Sequence, residues 1–449
     1  MLSNKPISQS APDKTHPHAP SYTPVGGDLD SVQFLAALAE ASASFKVVAA
    51  TDIYDNNRVK LFSKGHELNV DLQERLAQRK LLKPLVASLA VKGGVSADVL
   101  EQEVVRQCQS STFLWAIVGT NFDRLRALYH SAPLHPFVLL WLSVQRVTRP
   151  HLFSHCVLAS ILAGMLVLKK SESLVDAHRA LIAGLLHDCG EPYENPKLAR
   201  LGPTVSSDQW LEMIAHAEIG SLLIDQLADY SESISEAVRQ HHEKLDGSGY
   251  PCGLRDPQLS PLGSVLSLVE TVCGVMNTPD NHAARARLAL SFVAGEYDQQ
   301  DVSLLLPPVS SMFSTGIVLP ANFDLTKAIA RSEVMSRRLN WSHQAIAELR
   351  PEVQNEQMTA VIEFAQRRIA RLRSSWEATG IGEYFADEAA RLSQSDGNEE
   401  LFFDLDLVPA ELTWRMRSLA RTIVLMLHQR CLSSNGSLQS VIAALEAES

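Results

Sequence analysis

The stretch His241-His242-Glu243-Lys244-Leu245-Asp246-Gly247-Ser248-Gly249-Tyr250-Pro251 governs the reading of the whole chain. Two adjacent histidines stand where a polar helix runs out. Asp246-Gly-Ser-Gly then reads as a turn whose glycines supply positive φ. Each feature alone is ordinary, so the case rests on what flanks them. Upstream lie His155, the pair His187-Asp188 and His216, and downstream lies Glu270. Imidazoles and carboxylates without thiolates suit Fe, Mn or Zn. Asp188 is the natural bridge, because one carboxylate can place an oxygen on each of two ions. Two ions roughly 3.5–4 Å apart can activate a water for in-line attack at phosphorus and stabilise the leaving oxygen. Neighbours in sequence diverge on a regular helix, so His187 and Asp188 are expected at a helix end, with Gly190 as its stop.

Outward from this set the apolar spacing is helical. Leu181, Ile182, Leu185 and Leu186 precede His187. Leu211, Ile214, Leu222 and Leu223 line one helix carrying His216, for which Ser207-Asp208 offers N-cap chemistry. Helical patterns return at 353–372 and 412–432, separated by Gly-, Ser-, Asp- and Glu-rich loops around 377–400. Toward the other end, Phe45-Lys-Val-Val-Ala-Ala and Arg58-Val-Lys-Leu-Phe read as two strands joined by the turn Tyr54-Asp-Asn-Asn. A helix with Leu68, Val70, Leu72 and Leu76 follows, and 83–145 reads as mostly helical. The expectation is a mainly α protein. It divides into a disordered leader 1–30, a small α+β module with helical connector 31–145, an all-helical core 146–300 and a C-terminal helical region 301–449. The helix from Trp414 mixes apolar and basic residues, which suits a buried bundle helix, a homodimer or partner-protein face, or a membrane-surface helix.

Composition narrows the function classes. The 449 residues carry a net charge of −11, with 46% hydrophobic and 20% charged residues. That balance argues against duplex nucleic acid as partner and leaves room for a small anionic ligand, since metal ions invert the potential of one pocket. Six scattered cysteines without a C-x-x-C pair suit a reducing cytoplasm. No transmembrane segment is expected: the nearest apolar run, Leu152 to Leu168, is interrupted by Ser154, His155 and Ser160.

The order His155, His187-Asp188, His216, then HHEKLDGSGYP resembles the HD-GYP subfamily of HD-domain phosphohydrolases over about 145–300. The resemblance implies an all-α HD-type core that hydrolyses cyclic di-GMP with metal-activated hydroxide. It implies two divalent transition-metal ions (Fe, Mn or Zn) on His155, His187, Asp188, His216, His241, His242 and Glu270, with His187 and Asp188 catalytic. Asp246, Gly249, Tyr250 and Pro251 would meet substrate. His151, one turn before His155, falls where trinuclear members carry a Glu. Three positions depart from the family: Glu191 replaces a lysine, Glu270 replaces an Asp, and the basic residues expected after it are missing. Arg285 and Arg287 are the sequence's candidates to replace that phosphate clamp. The alternative is a degenerate domain that senses a nucleotide or docks a partner without turnover.

Overall fold

A computed structural model describes residues 31–171, 173–193, 207–278, 281–306, 319, 323–349, 355–381, 399–434 and 436–447. The expected leader 1–30 lies outside these, as do most of the loop around 377–400 and the side chains of Ser207 and Asp208. Helices are α1 Val32–Ala41, α2 Val70–Ala77, α3 Ala97–Ser110, α4 Thr112–Val118, α5 Phe122–Ser131, α6 Pro136–Thr148, α7 Pro150–Lys170 and α8 Leu174–Leu186. There follow α9 Ser207–Met213, α10 Ala215–Leu227, α11 Glu232–Gln240, α12 Pro261–Met276, α13 His282–Ser291 and α14 Gln299–Leu305. The C-terminal region supplies α15 Leu325–Glu348, α16 Glu356–Thr379, α17 Glu399–Gln429 and α18 Gly436–Glu446.

The centre of the molecule is α7. Apolar side chains surround it on every face, so it is stable only when enclosed. It is covered by α8, with α12, α6, α14 and α3 around it. By length and composition α7 would suffice to cross a membrane, yet 83% of its most apolar window is buried within the protein. The mainly helical expectation holds, and His187, His216 and His241 sit at ends of these helices, while His155 lies inside α7.

The small strands pair differently from the hairpin expected between 45 and 62. β1 Lys46–Ala49 runs antiparallel to β4 Leu89–Lys92, with Val47 opposite Val91. β2 Ile53–Tyr54 pairs instead with β3 Lys60–Phe62. The partner of β1 lay hidden in a stretch read as helical. Leu89-Ala-Val-Lys is too short to show a period, and only its C-terminal edge, at Gly93-Gly94, carries glycine. The core of this module is continuous with the helical core, joining Phe34, Leu85 and Val104 to Leu162 and Leu185. The C-terminal helices bury a separate cluster around Ile329, Leu339, Ile369, Leu412 and Ile423.

Candidate metal centre

Residues 241–251 begin where α11 stops. His241 is its C-cap, and His187 is likewise the C-cap of α8, so Asp188 leaves the helix in a new direction. Gly190 serves this turn differently from the expected left-handed cap. A Cβ there would overlap the His216 carbonyl and the Gly220 amide. Glycine therefore lets the end of α8 press against α10. The helix expected to run from 207 through 223 is two, broken at Ile214, which is the N-cap of α10. That break lets the Met213 carbonyl accept from His216 Nδ1 at 2.6 Å.

The same bond recurs. His187 Nδ1 lies 2.8 Å from the Gly184 carbonyl and His241 Nδ1 lies 2.5 Å from the Val238 carbonyl. A carbonyl can only accept, so each Nδ1 carries a proton, and the neutral form of each ring would turn its Nε2 lone pair inward. Those atoms meet. His155 and His187 Nε2 are 3.0 Å apart, His216 and His241 3.1 Å, and His216 and His242 3.2 Å. Converging lone pairs repel unless a proton or cation lies among them.

Asp188 divides the cluster. Its Oδ2 is 3.1 Å from His187 and 3.3 Å from His155, while Oδ1 faces His216 and His241 at 3.6 Å each. Two sets of potential ligands thus share one carboxylate: His155, His187 and Asp188, and Asp188, His216, His241 and His242. Glu270 joins the first set. Its buried Oε2 lies 3.2 Å from His155 and 3.3 Å from His187 without a hydrogen bond. Burial opposes charge on His155 and His187, but the Glu270 and Asp188 carboxylates raise His155 to about 11 and His187 well above the usual imidazole range. In the other half, burial keeps His241 and His242 below that range. One half attracts positive charge and the other offers neutral imidazoles. The donor set therefore fits metal cations, which compete with protons for the same lone pairs.

The cluster opens into a cleft of about 980 Å³, within the range of small-ligand pockets. His155, Asp188, His216, His242 and Glu270 line it. His151 is exposed on its rim. Glu191 also lines the cleft, 3.8 Å from Arg149. Among the described residues, the arginines on its wall are Arg149 and Arg106, and Arg285 and Arg287 are not part of that lining. Arg106 is held by a fork to Glu103 at 2.8 and 2.5 Å. Sequence reasoning missed both arginines because they precede the motif series, and only the packing of α3 on α7 brings Arg106 to it.

The substrate-binding candidates separate. Tyr250 lines the cleft, stacks on His242 at 4.5 Å and meets Trp210 edge-on at 5.6 Å. Gly249 makes that possible through close approach instead of positive φ. A Cβ would strike the His242 carbonyl, which accepts from Tyr250 N–H at 3.1 Å. Pro251 uses its carbonyl to accept from Gln429 at 2.7 Å. Asp246 departs from expectation: it is buried away from the cleft, bonded to Arg368 at 2.7 Å and Arg371 at 3.2 Å. Glu243, which was assigned no role, is the knot of the loop. Its carboxylate accepts from the amides of Cys252, Gly253 and Leu254 at 2.6, 3.1 and 2.9 Å.

Helices around a histidine–aspartate cluster define an HD-type site, and residues 152–272 match the family model described as HD domain. The match is confined to that segment, and its 241–251 run resembles the HD-GYP type. The chain is similar to the cyclic di-GMP phosphodiesterase PA4108 of Pseudomonas aeruginosa, 29% identical over 177 residues, covering 37% of this chain and 41% of that protein. It is also similar to the 3'3'-cGAMP-specific phosphodiesterase 1 of Vibrio cholerae, 23% identical over 195 residues, covering 40% of this chain and 44% of that one. The match thus spans less than half the length of either relative. A solved structure, Bd1817, a HDG"Y"P protein from Bdellovibrio bacteriovorus, shares 15% identity at a TM-score of 0.31, covering 58% of this chain and 93% of that one.

Proposed function

We propose that the protein is a metal-dependent phosphodiesterase that opens a cyclic dinucleotide, cyclic di-GMP first among them, at a site for two ions of the Fe, Mn or Zn type. The observation that carries this is the division of Asp188: each oxygen faces its own group of imidazoles. When bound, such ions acidify a water and neutralise charge on the phosphodiester. His155, His187 and Glu270 would hold one and His216, His241 and His242 the other, with Asp188 between them. The relatives named above, which act on cyclic di-GMP and 3'3'-cGAMP, support the substrate class.

The chain's own residues meet the rest of the substrate. A cyclic dinucleotide carries two phosphodiester anions. Arg149 and Arg106 are the guanidinium groups on the cleft wall among the described residues and would receive the oxygens that the ions leave free. Arg149 also offsets Glu191, so the missing family lysine need not leave a net repulsion. Tyr250 braces His242 from behind.

The test is anaerobic purification without chelator, elemental analysis, then incubation with cyclic di-GMP or 3'3'-cGAMP and chromatography of the products. Close to two transition-metal ions per chain and a linear dinucleotide product are expected. Protein that takes up no transition metal after reconstitution would sink the site. Tight nucleotide binding with full metal and no product would favour the sensor reading, whose support is the carboxylate at Glu191 in the cleft.

A further inference from the structure

The motif that supplies His241 and His242 also sends Lys244 and Asp246 the other way, into a buried ion cluster. At its centre Glu296, fully buried, contacts Lys244 at 3.3 Å and makes ion pairs with both Arg368 and Arg415. Arg368 reaches on to Asp246 at 2.7 Å, and Arg415 to Glu411 at 2.6 Å. Three enclosed cations, Lys244, Arg368 and Arg415, thus balance three carboxylates, Glu296, Asp246 and Glu411, with the exposed Arg371 a further partner of Asp246 at 3.2 Å. Burial works to raise Glu296, but Lys244, Arg415 and Arg368 hold it well below the usual carboxylate range. The Leu245 N–H donates to the Glu296 carbonyl at 3.0 Å, fastening the same loop through its backbone.

Arg368 belongs to α16 and Arg415 to α17, both outside the HD segment. The C-terminal helices touch the site at two more places. Gln429 donates to the Pro251 carbonyl, and Leu425 packs on Trp210 and Ile214 beside the cleft. The motif loop is therefore gripped from outside its own domain at Lys244, Asp246 and Pro251. His241 and His242 lie two to five residues upstream of the first two grips, on a loop whose turn is closed by Asp246 accepting from Ser248 N–H at 3.0 Å.

We propose that Arg368 is a positioning residue for the metal centre. Through Asp246 it fixes the loop that carries His241, His242 and Tyr250, and so makes the C-terminal bundle part of the site. The effect on turnover rests on the phosphodiesterase reading; the effect on metal affinity does not.

The experiment compares Arg368→Met, Asp246→Asn and the double variant with the wild-type full chain. It reads Mn²⁺ affinity by chelator competition, thermal stability, and kcat and KM separately. Either single change unbalances the buried charges and costs stability, whereas the double variant restores the balance. Either single variant should bind Mn²⁺ about tenfold more weakly, the usual scale for losing an outer support of a metal site, with a lower kcat and a KM within about twofold of wild type. The double variant should recover thermal stability and still bind Mn²⁺ weakly. Recovery of affinity together with stability would mean that the pair only balances charge, and would overturn the proposal. So would wild-type Mn²⁺ affinity in folded single variants. If Arg368→Met does not fold, Asp246→Asn, which keeps the shape of the side chain, decides alone by the same affinity criterion. A wild-type protein that turns over no cyclic dinucleotide would refute the function reading and leave the Mn²⁺ comparison intact.

Discussion

Two buried charge clusters lie on opposite sides of residues 241–251, and they differ in how their charges are met. Around Glu296 each carboxylate has a cation in contact and each cation a carboxylate. Around Asp188, imidazole nitrogens face one another at 3.0–3.2 Å. Both are buried and both are built largely of residues that are rarely inside proteins. The closed cluster has its counter-ions within the chain, so it is structural. The open cluster also leaves imidazole nitrogens facing one another, an arrangement that could take cations from outside. Burial and charge alone would rank the two alike; what separates them is the direction in which the lone pairs point.

The largest expected effect tests the open cluster. Asp188→Ala removes the carboxylate that both imidazole groups share, so bound metal should fall sharply and turnover should drop by more than about 10³-fold, the scale of losing a principal electrostatic support in an active site. The helical circular dichroism should persist, because the Asp188 side chain supports no helix. Elemental analysis beside kinetics checks this. Full metal occupancy in the variant would show that the two groups do not depend on a bridge.

The matching break in the closed cluster is Glu296→Gln. Three cations lose their common carboxylate in a site closed to water, which should cost about 3 kcal/mol of stability, as for other broken buried pairs. The sign with pH follows from the depressed Glu296 value. Its contribution is complete above the ordinary glutamate value of 4.5 and is lost as pH falls toward the lower folded value. Wild type and variant should therefore differ most at neutral pH and converge in acid. Thermal denaturation from pH 7 to 3 would expose the error if the gap stayed constant. With Mn²⁺ in excess, the variant should still load its metal site.

The open cluster was legible in the sequence and the closed one was not, for a physical reason. His155, His187, Asp188, His216, His241, His242 and Glu270 stand in a fixed order on helices whose apolar periods are plain, so their convergence could be expected. The partners of Glu296 span from Lys244 to Arg415 and obey no local period. An arginine on a helix reads as solvated until packing shows that it is enclosed, and Arg415 is 1% exposed. Asp246 was misjudged on the same ground: its place in the motif suggested substrate, whereas α16 supplies its partners. Trp414, half exposed, carries Lys244 and Arg415 over its ring, which absorbs part of the mixed apolar and basic face seen in the sequence. The strand Leu89–Lys92 escaped because four residues hold too little pattern.

A smaller effect sharpens the boundary between the open cluster and its cleft. Arg149 is a cation at the cleft rim with a loose partner at 3.8 Å, so its charge is largely available to a phosphate. Arg149→Ala should raise KM about tenfold, near the low end for a charged hydrogen bond, and leave metal content unchanged. An unchanged KM would place the second phosphate on Arg106 instead, to be tested by Arg106→Ala in the same assay.

The smallest effect belongs to Glu191, and its size follows from that pair. Were Glu191 alone, a carboxylate beside a phosphodiester would cost roughly 1–4 kcal/mol at an effective dielectric of 20 or above. Two facts reduce this. Burial, with Asp188 nearby, pushes its carboxyl up to about 7, so it carries only part of its charge at neutral pH, and Arg149 already stands opposite. Glu191→Lys should therefore lower KM only about threefold, by freeing Arg149 and adding one screened cation. The double variant Glu191→Lys, Arg149→Ala should have a KM between those of the two single variants, because the added cation offsets only part of the loss of Arg149. Steady-state kinetics on the three proteins at matched metal loading gives the answer. A gain well beyond tenfold in Glu191→Lys would mean that Arg149 does not offset Glu191, and that the cleft wall is more repulsive than the 3.8 Å pair implies.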